Sequence, residues 1–237
     1  QIRQIIMRIS PQINVQRNKN GIPSGSFAAS DYVGQFVGSA GDVDGDGVPD
    51  LLFSASGNDD GAAGAGGAWV ILLNRNGTAK SAIELANGKN GIPSGSFAAN
   101  DYVGGSVAGI GDVDGDGVPD VVLTAQYNDD GATDAGGAWV ILLNADGTAK
   151  SAIELANGKN GIPIGSFAAS DYVGFSVASA GDVDGDGVPD LVLGALWNDD
   201  GATDAGGAWV ILLNVDGTAK SAIELANGKN GIPSGSF

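Results

Sequence analysis

One string, Gly-Asp-Val-Asp-Gly-Asp-Gly-Val-Pro-Asp, occurs at 41–50, 111–120 and 181–190, so the chain repeats itself every 70 residues. Residues 41–110 and 111–180 are identical at about 55 of 70 positions, which makes the repeat the unit of folding. A unit this long holds several secondary-structure elements but cannot bury its apolar faces alone. It has to stack on its neighbours.

Within one repeat the pattern reads as four strands. A first apolar run follows Val103-Gly104, from Ser106 to Ile110. After the acidic string comes Val121-Val122-Leu123-Thr124-Ala125, rich in residues that suit a pleated surface. A Gly-rich loop leads to Ala138-Trp139-Val140-Ile141-Leu142-Leu143, and an Asp146-Gly147 turn leads into Thr148–Ala156. The last element, TAKSAIELA, is rich in helix formers. The N-terminal segment argues for a strand instead. Met7–Phe27 falls in frame with Gly77–Phe97, and there the element reads RISPQINV, with Pro11 in its middle and Ile13 and Val15 alternating. We therefore read the fourth element as an outer edge strand. The expected fold class is all-β, with propeller blades of four antiparallel strands, three blades in this chain and an incomplete ring, since closure takes about 4–8 blades. A stacked β-solenoid is the other architecture. The expected divisions are 1–33 as a diverged leading outer strand and linker, 34–103 and 104–173 as blades, and 174–237 as the third blade and trailing linker. The string GIPSGSF at 231–237 matches 21–27, as a cut through a longer array would leave it.

The chemistry is concentrated in the repeated acidic string. Each copy carries Asp at loop positions 1, 3, 5 and 9, namely Asp42, Asp44, Asp46 and Asp50, then Asp112, Asp114, Asp116 and Asp120, then Asp182, Asp184, Asp186 and Asp190. Alternate positions of a tightly coiled loop aim their side chains at one centre. The position-7 carbonyls of Val48, Val118 and Val188 can add an oxygen, and the intervening glycines permit the turn. Four carboxylates in nine residues repel one another unless a cation neutralises them. An all-oxygen, flexible set suits calcium better than magnesium, which prefers a strict octahedron with retained waters. Three Ca2+ sites are expected, one per repeat. The loop is not an EF-hand, because position 12 is Phe53, Leu123 or Leu193 where an EF-hand needs Glu. At 100 times its dissociation constant each ion adds about 2.7 kcal/mol, and three add about 8 against a typical stability of about 5–15 kcal/mol. A structural role is enough to account for the loops.

Composition excludes several classes. The formal charge is −17, from 28 acids and 11 bases, so nucleic acid is not an expected partner. There is no Cys and no His, which removes disulfides, thiolate sites and the commonest general base. No apolar run approaches the ~20 residues of a membrane span, and residues 1–10 lack the apolar core of an export signal. No constellation for catalysis stands apart from the repeated Asp clusters.

The pattern GxxVxxxGDVDGDGVPDxxxxA resembles the FG-GAP repeats of integrin α-subunit propellers and their bacterial relatives, over nearly the whole chain. The resemblance implies a seven-bladed or similar ring with a calcium loop between the first and second strands of each blade. The same scaffold serves fungal lectins. The Phe-Gly pair is Val33-Gly34, Val103-Gly104 and Val173-Gly174 here, and the Gly-Ala-Pro element is Ser54-Ala55-Ser56, Thr124-Ala125-Gln126 and Gly194-Ala195-Leu196. These departures leave the metal loop intact.

The expected function is a calcium-stabilised extracellular or cell-surface module for adhesion, surface assembly or scaffolding, not an enzyme. The alternatives are a carbohydrate-binding lectin-like propeller and a repeat scaffold without a ligand of its own. Expected partners are a second copy, as a homodimer completing six blades or as a longer array or filament, and a protein or glycan ligand. A second acidic stretch, with Asp129, Asp130 and Asp134 or Asp199, Asp200 and Asp204, reads as a solvated loop, with Gly64 in place of the last Asp in the first copy. Asp31, Asp101 and Asp171 read as turn residues whose neighbouring Tyr packs between blades. Trp69, Trp139 and Trp209 read as blade-to-blade packing. The varied positions Gly57/Tyr127/Trp197 and Gln35/Gly105/Phe175 fall near a central mouth if the first strand is innermost, where an aromatic could stack on a sugar or the positions could have drifted.

Overall fold

The structure is a computed structural model that describes residues 20–235. The leading strand expected over RISPQINV lies outside the described residues. Among them there is no helix, and twelve strands form three antiparallel four-stranded sheets. The first sheet contains β1 (Val37–Gly41), β2 (Asp50–Ser54), β3 (Ala68–Leu73) and β4 (Ala79–Leu85), paired in that order. The second contains β5 (Val107–Gly111), β6 (Asp120–Thr124), β7 (Ala138–Leu143) and β8 (Ala149–Leu155). The third contains β9 (Val173–Gly181), β10 (Asp190–Ala195), β11 (Gly207–Leu213) and β12 (Ala219–Leu225). Three blades are present and the ring is not closed.

The helix formers of TAKSAIELA make a strand because tertiary pairing overrides propensity. Val70 pairs with Ile83 and Ala68 with Leu85, and Ile83 and Leu85 are buried on alternate positions of β4. The first strands of successive blades are neighbours: Ser179 Oγ donates to Ile110 O at 3.5 Å, and a Cβ on Gly109 would lie 2.4 Å from Ser39 O. That contact leaves no room for a side chain at Gly109. The first strand is therefore innermost and the fourth outermost, as a propeller requires.

Apolar layers form between blades. The trailing face of the first blade (Leu52, Val70, Leu72) buries against the leading face of the second (Val107, Val121, Leu123, Ile141), and the same layer recurs between the second and third. Each linker staples the layer. Phe97, carried after β4, meets Trp139 of the next blade edge-on at 5.1 Å, as Phe27 meets Trp69 and Phe167 meets Trp209 at 5.2 Å. Trp139 and Trp209 thus pack blade to blade, as expected, while Trp69 packs on Phe27 and Ile22 of the leading linker. Asn87 holds the staple from both sides, accepting from Phe97 N at 2.9 Å and donating to Phe97 O at 2.8 Å.

Candidate metal centre

The acidic string connects the innermost strand of each blade to the second. Its coil depends on Gly45 and Gly47, whose φ angles of +71° and +82° lie in the left-handed region. Within the coil, position 1 caps the backbone: Asp112 Oδ1 accepts from Gly115 N at 2.8 Å and Oδ2 from Gly117 N at 2.8 Å, and Asp182 repeats the pattern. Position 5 accepts from position 7, with Asp46 Oδ1 to Val48 N, Asp116 Oδ1 to Val118 N and Asp186 Oδ1 to Val188 N all at 2.9 Å.

Position 9 is the anchor. Asp120 is fully buried, and its two oxygens accept from Val113 N and Leu143 N at 2.8 Å each, which ties the loop to the end of β7. Asp50 and Asp190 do the same with Val43 and Leu73, and with Val183 and Leu213. Burial pushes the Asp120 carboxyl up to about 6, against the pull of those two N–H groups, and pushes Asp50 up as well.

The folded loop brings together the residues at positions 1, 3 and 9. Asp42, Asp44 and Asp50 each offer an oxygen within 4.8 Å of the others, as do Asp112, Asp114 and Asp120, and Asp182, Asp184 and Asp190. Position 5 is not one of the three, though Asp46 N donates to Asp44 Oδ1 at 3.3 Å. A lysine from the fourth strand of the same blade takes it up: Lys80 Nζ sits 2.5 Å from both Asp44 Oδ2 and Asp46 Oδ2. Lys150 bridges Asp114 and Asp116, and Lys220 bridges Asp184 and Asp186 at 2.6 and 2.8 Å. These ammonium groups hold Asp46, Asp116 and Asp186 below the usual carboxylate range, and the lysines are held above theirs in return.

The donor set fits a hard cation. Each cluster is built from carboxylate oxygens alone, and Asp42 Oδ1 is buried without a hydrogen-bond partner among the described residues. The bridging lysine shows that the loop draws in positive charge. These lysines were not singled out from the sequence, because they lie 34 to 36 residues from the carboxylates they meet. Their one signal was recurrence at the same place in every repeat.

The second acidic stretch is solvated, as read from the sequence, with Asp129, Asp199 and Asp204 exposed, and its middle Asp is in addition ion-paired. Lys89 lies 2.6 Å from Asp60 and 2.7 Å from Glu84, while Asn58 Nδ2 donates to Glu84 at 2.8 Å. The network recurs as Asp130, Lys159, Glu154 and Asn128, and as Asp200, Lys229, Glu224 and Asn198. Burial pushes Glu154 up to about 7. Nor is Gly64 a missing ligand. Asp134 and Asp204 stand at φ +49° and +53° and Gly64 at +61°, and each donates its N–H to the Asp five residues before it. The position demands a left-handed backbone, which glycine and aspartate both tolerate.

Asp31, Asp101 and Asp171 are turn residues as expected, accepting from the N–H three residues earlier. Of their tyrosines, Tyr102 lies between blades as expected, over Gly64 of the first and edge-on to Tyr127 of the second. Tyr32 is 65% exposed, and Tyr102, Tyr127 and Tyr172 form an edge-to-face ladder with centroids 5.6 and 5.5 Å apart. The hydroxyl keeps each ring at the wet end of the blade layer. There the varied positions Gln35, Gly105, Tyr127 and Phe175 meet Tyr32, Phe36 and Tyr102 around a cavity of about 440 Å³. Gly57 is fixed by crowding, since a Cβ there would lie 2.1 Å from Ser30 O.

The family model of the FG-GAP repeat matches residues 35–71, 103–141 and 173–211. Each match runs from the innermost strand through the acidic loop into the third strand. FG-GAP propellers of the integrin type are in general non-catalytic modules that often bind calcium in this loop and mediate protein interactions. With three such repeats folded as four-stranded blades, the chain belongs to the FG-GAP repeat family.

Proposed function

We propose that this protein is a calcium-stabilised, extracellular or cell-surface propeller module that serves adhesion, surface assembly or scaffolding. The observation that carries the reading is the convergence of three carboxylates within 4.8 Å at the same place in all three blades. Calcium would be held by Asp42, Asp44 and Asp50 and their equivalents, with Asp46, Asp116 and Asp186 and the carbonyls of Val48, Val118 and Val188 completing the set. The ion lowers the mutual repulsion of the loop and fixes the innermost strand against the second, so its role is in holding the blade rather than in a reaction. Three divalent ions offset about a third of the −17 charge. No helix among the described residues is long and apolar enough to cross a membrane. Self-association is the expected mode of assembly. The test is calorimetric titration with calcium and thermal unfolding with and without EDTA. Three sites and a melting temperature lowered by chelation are expected, and a melting temperature indifferent to EDTA refutes the reading.

A second reading rests on the aromatic mouth. Tyr102, Tyr127 and Phe175 beside Gln35 and Gln126 offer stacking faces and amides around one cavity, the chemistry that recognises a sugar ring. Glycan binding that disappears in Tyr127→Ala favours it.

A further inference from the structure

We propose that Asn76, in the turn between β3 and β4 of the first blade, is the acceptor for an asparagine-linked oligosaccharide. The inference rests on the extracellular reading above and gives that surface a modification site. Asn76-Gly77-Thr78 is the one Asn-x-Ser/Thr triplet in the 237 residues, and this is the pattern that carries such sugars. The matching turns of the other two blades read Asp146-Gly147-Thr148 and Asp216-Gly217-Thr218. A carboxylate has no nitrogen to take a glycan. The modification therefore falls on one blade of the three.

The turn presents Asn76 for this chemistry. Asn74 N donates to Thr78 O at 2.8 Å and Gly77 N to Asn74 O at 2.8 Å, which closes a tight hairpin. Asn76 Oδ1 accepts from Thr78 N at 3.0 Å and from Thr78 Oγ1 at 2.7 Å. Two donors on the oxygen fix which way the amide points, and Nδ2 is left without a protein partner among the described residues. Asn76 is exposed, and a preceding blade does not cover this position. Asp146 and Asp216 hold their threonines by the same two bonds and are exposed as well, although Gly147 and Gly217 beside them are buried on Ile83 and Ile153 of the blade before. In the transfer, Nδ2 attacks the first carbon of a lipid-pyrophosphate-linked oligosaccharide. The N–C bond forms as the bond from that carbon to the pyrophosphate oxygen breaks, and the proton shed by Nδ2 ends on the released lipid pyrophosphate. The strands of a blade alternate in direction, so the β3–β4 turn lies at the same end as the acidic loop, where Lys80 meets Asp44. Tyr102 lies over Gly64 in the β2–β3 connection, at the opposite end. A glycan on Asn76 thus stands at the metal-loop end and leaves the aromatic mouth free.

The full chain, carried behind an export signal into eukaryotic microsomes, tests the proposal, with protease protection showing that it has crossed. Peptide masses are read before and after an amidase that removes asparagine-linked glycans in heavy-oxygen water. One glycan per chain is expected, with heavy-oxygen Asp at position 76 after the enzyme. Asn76→Asp and Thr78→Ala are each expected to abolish it. Asn76→Asp gives the first blade the residue of the other two and keeps the oxygen that Thr78 binds, so a glycan lost there is not a turn lost. A translocated wild type that stays bare overturns the proposal, whether position 76 is intact or has lost ammonia to become Asp in ordinary water. A glycan that survives Asn76→Asp overturns it as well. Because the export signal supplies the compartment, either failure leaves the calcium-stabilised extracellular reading standing. That reading fails separately, on the EDTA melting curve.

Discussion

Lowering the pH should stabilise the metal-free protein while weakening the calcium binding proposed above, and Asp120 is the buried group through which the two effects meet. Its carboxyl is fully buried in the middle blade, and burial lifts it from 3.8 to about 6. A group whose folded value lies above its unfolded value favours folding when protonated. Its contribution is present below about pH 4 and is lost as the pH rises through 6. Two units at about 1.4 kcal/mol each make this about 3 kcal/mol. About half of this is gained by pH 5, which in a domain of this size corresponds to a melting temperature roughly 3–6 °C higher. Asp50, Asp101, Asp171, Glu84, Glu154 and Glu224 are raised by burial and act in the same direction. The lysine-paired Asp46, Asp116 and Asp186 are lowered, so their contribution is lost only below the usual carboxylate range and leaves the window from pH 7.5 to 5 untouched. Calcium has the opposite dependence, because an ion ligated by Asp120 needs its ionised form. Unfolding followed by circular dichroism at pH 7.5, 6 and 5, in EDTA and in calcium, should show the EDTA curve rising and the gap between the two closing. Asp120→Asn should flatten the EDTA slope. A wild-type melting temperature that falls in EDTA over this range, or an Asp120→Asn slope equal to that of the wild type, refutes the reasoning.

Lys150→Met removes the ammonium that bridges Asp114 and Asp116. Calcium titration should find that site a few-fold tighter, with the metal-free protein less stable. Phe97→Ala deletes a buried ring stacked edge-on against Trp139 and should cost about 3–5 kcal/mol in chemical denaturation. Asp134→Gly keeps the left-handed backbone that its position requires, so calorimetry should return the same number of calcium sites as in the wild type. Asp134→Val, β-branched at the same φ, should lower the melting temperature.

The architecture was legible because the repeat carries its own punctuation. Glycines and Asp-Gly turns mark where strands end, and apolar runs such as AWVILL mark what must be buried. TAKSAIELA shows the limit of local propensity: its composition favours a helix, and only the alternation in a diverged copy of the frame pointed to a strand. The pairing of Ile83 with Val70 is the tertiary contact that makes it one. At the candidate centre, spacing alone picked out the twelve aspartates, because a coiled loop of nine residues sets its side chains by short-range geometry. Which of them converge was not legible. Asp44 and Asp46 both pair with Lys80, from the far side of the sheet order, yet only Asp44 joins the group with Asp42 and Asp50.

The sequence by itself determined the repeat, the strand grammar, the loop chemistry and the exclusion of thiol and imidazole sites, all of which depend on residues close together in the chain. Only the tertiary structure decided what depends on distant residues meeting: the lysine counter-charges, the Asp60–Lys89–Glu84 networks and the tyrosine ladder. A carboxylate's ionic partner is chosen by the sheet that brings the two together. Nothing in the spacing of aspartates along the chain could name that partner.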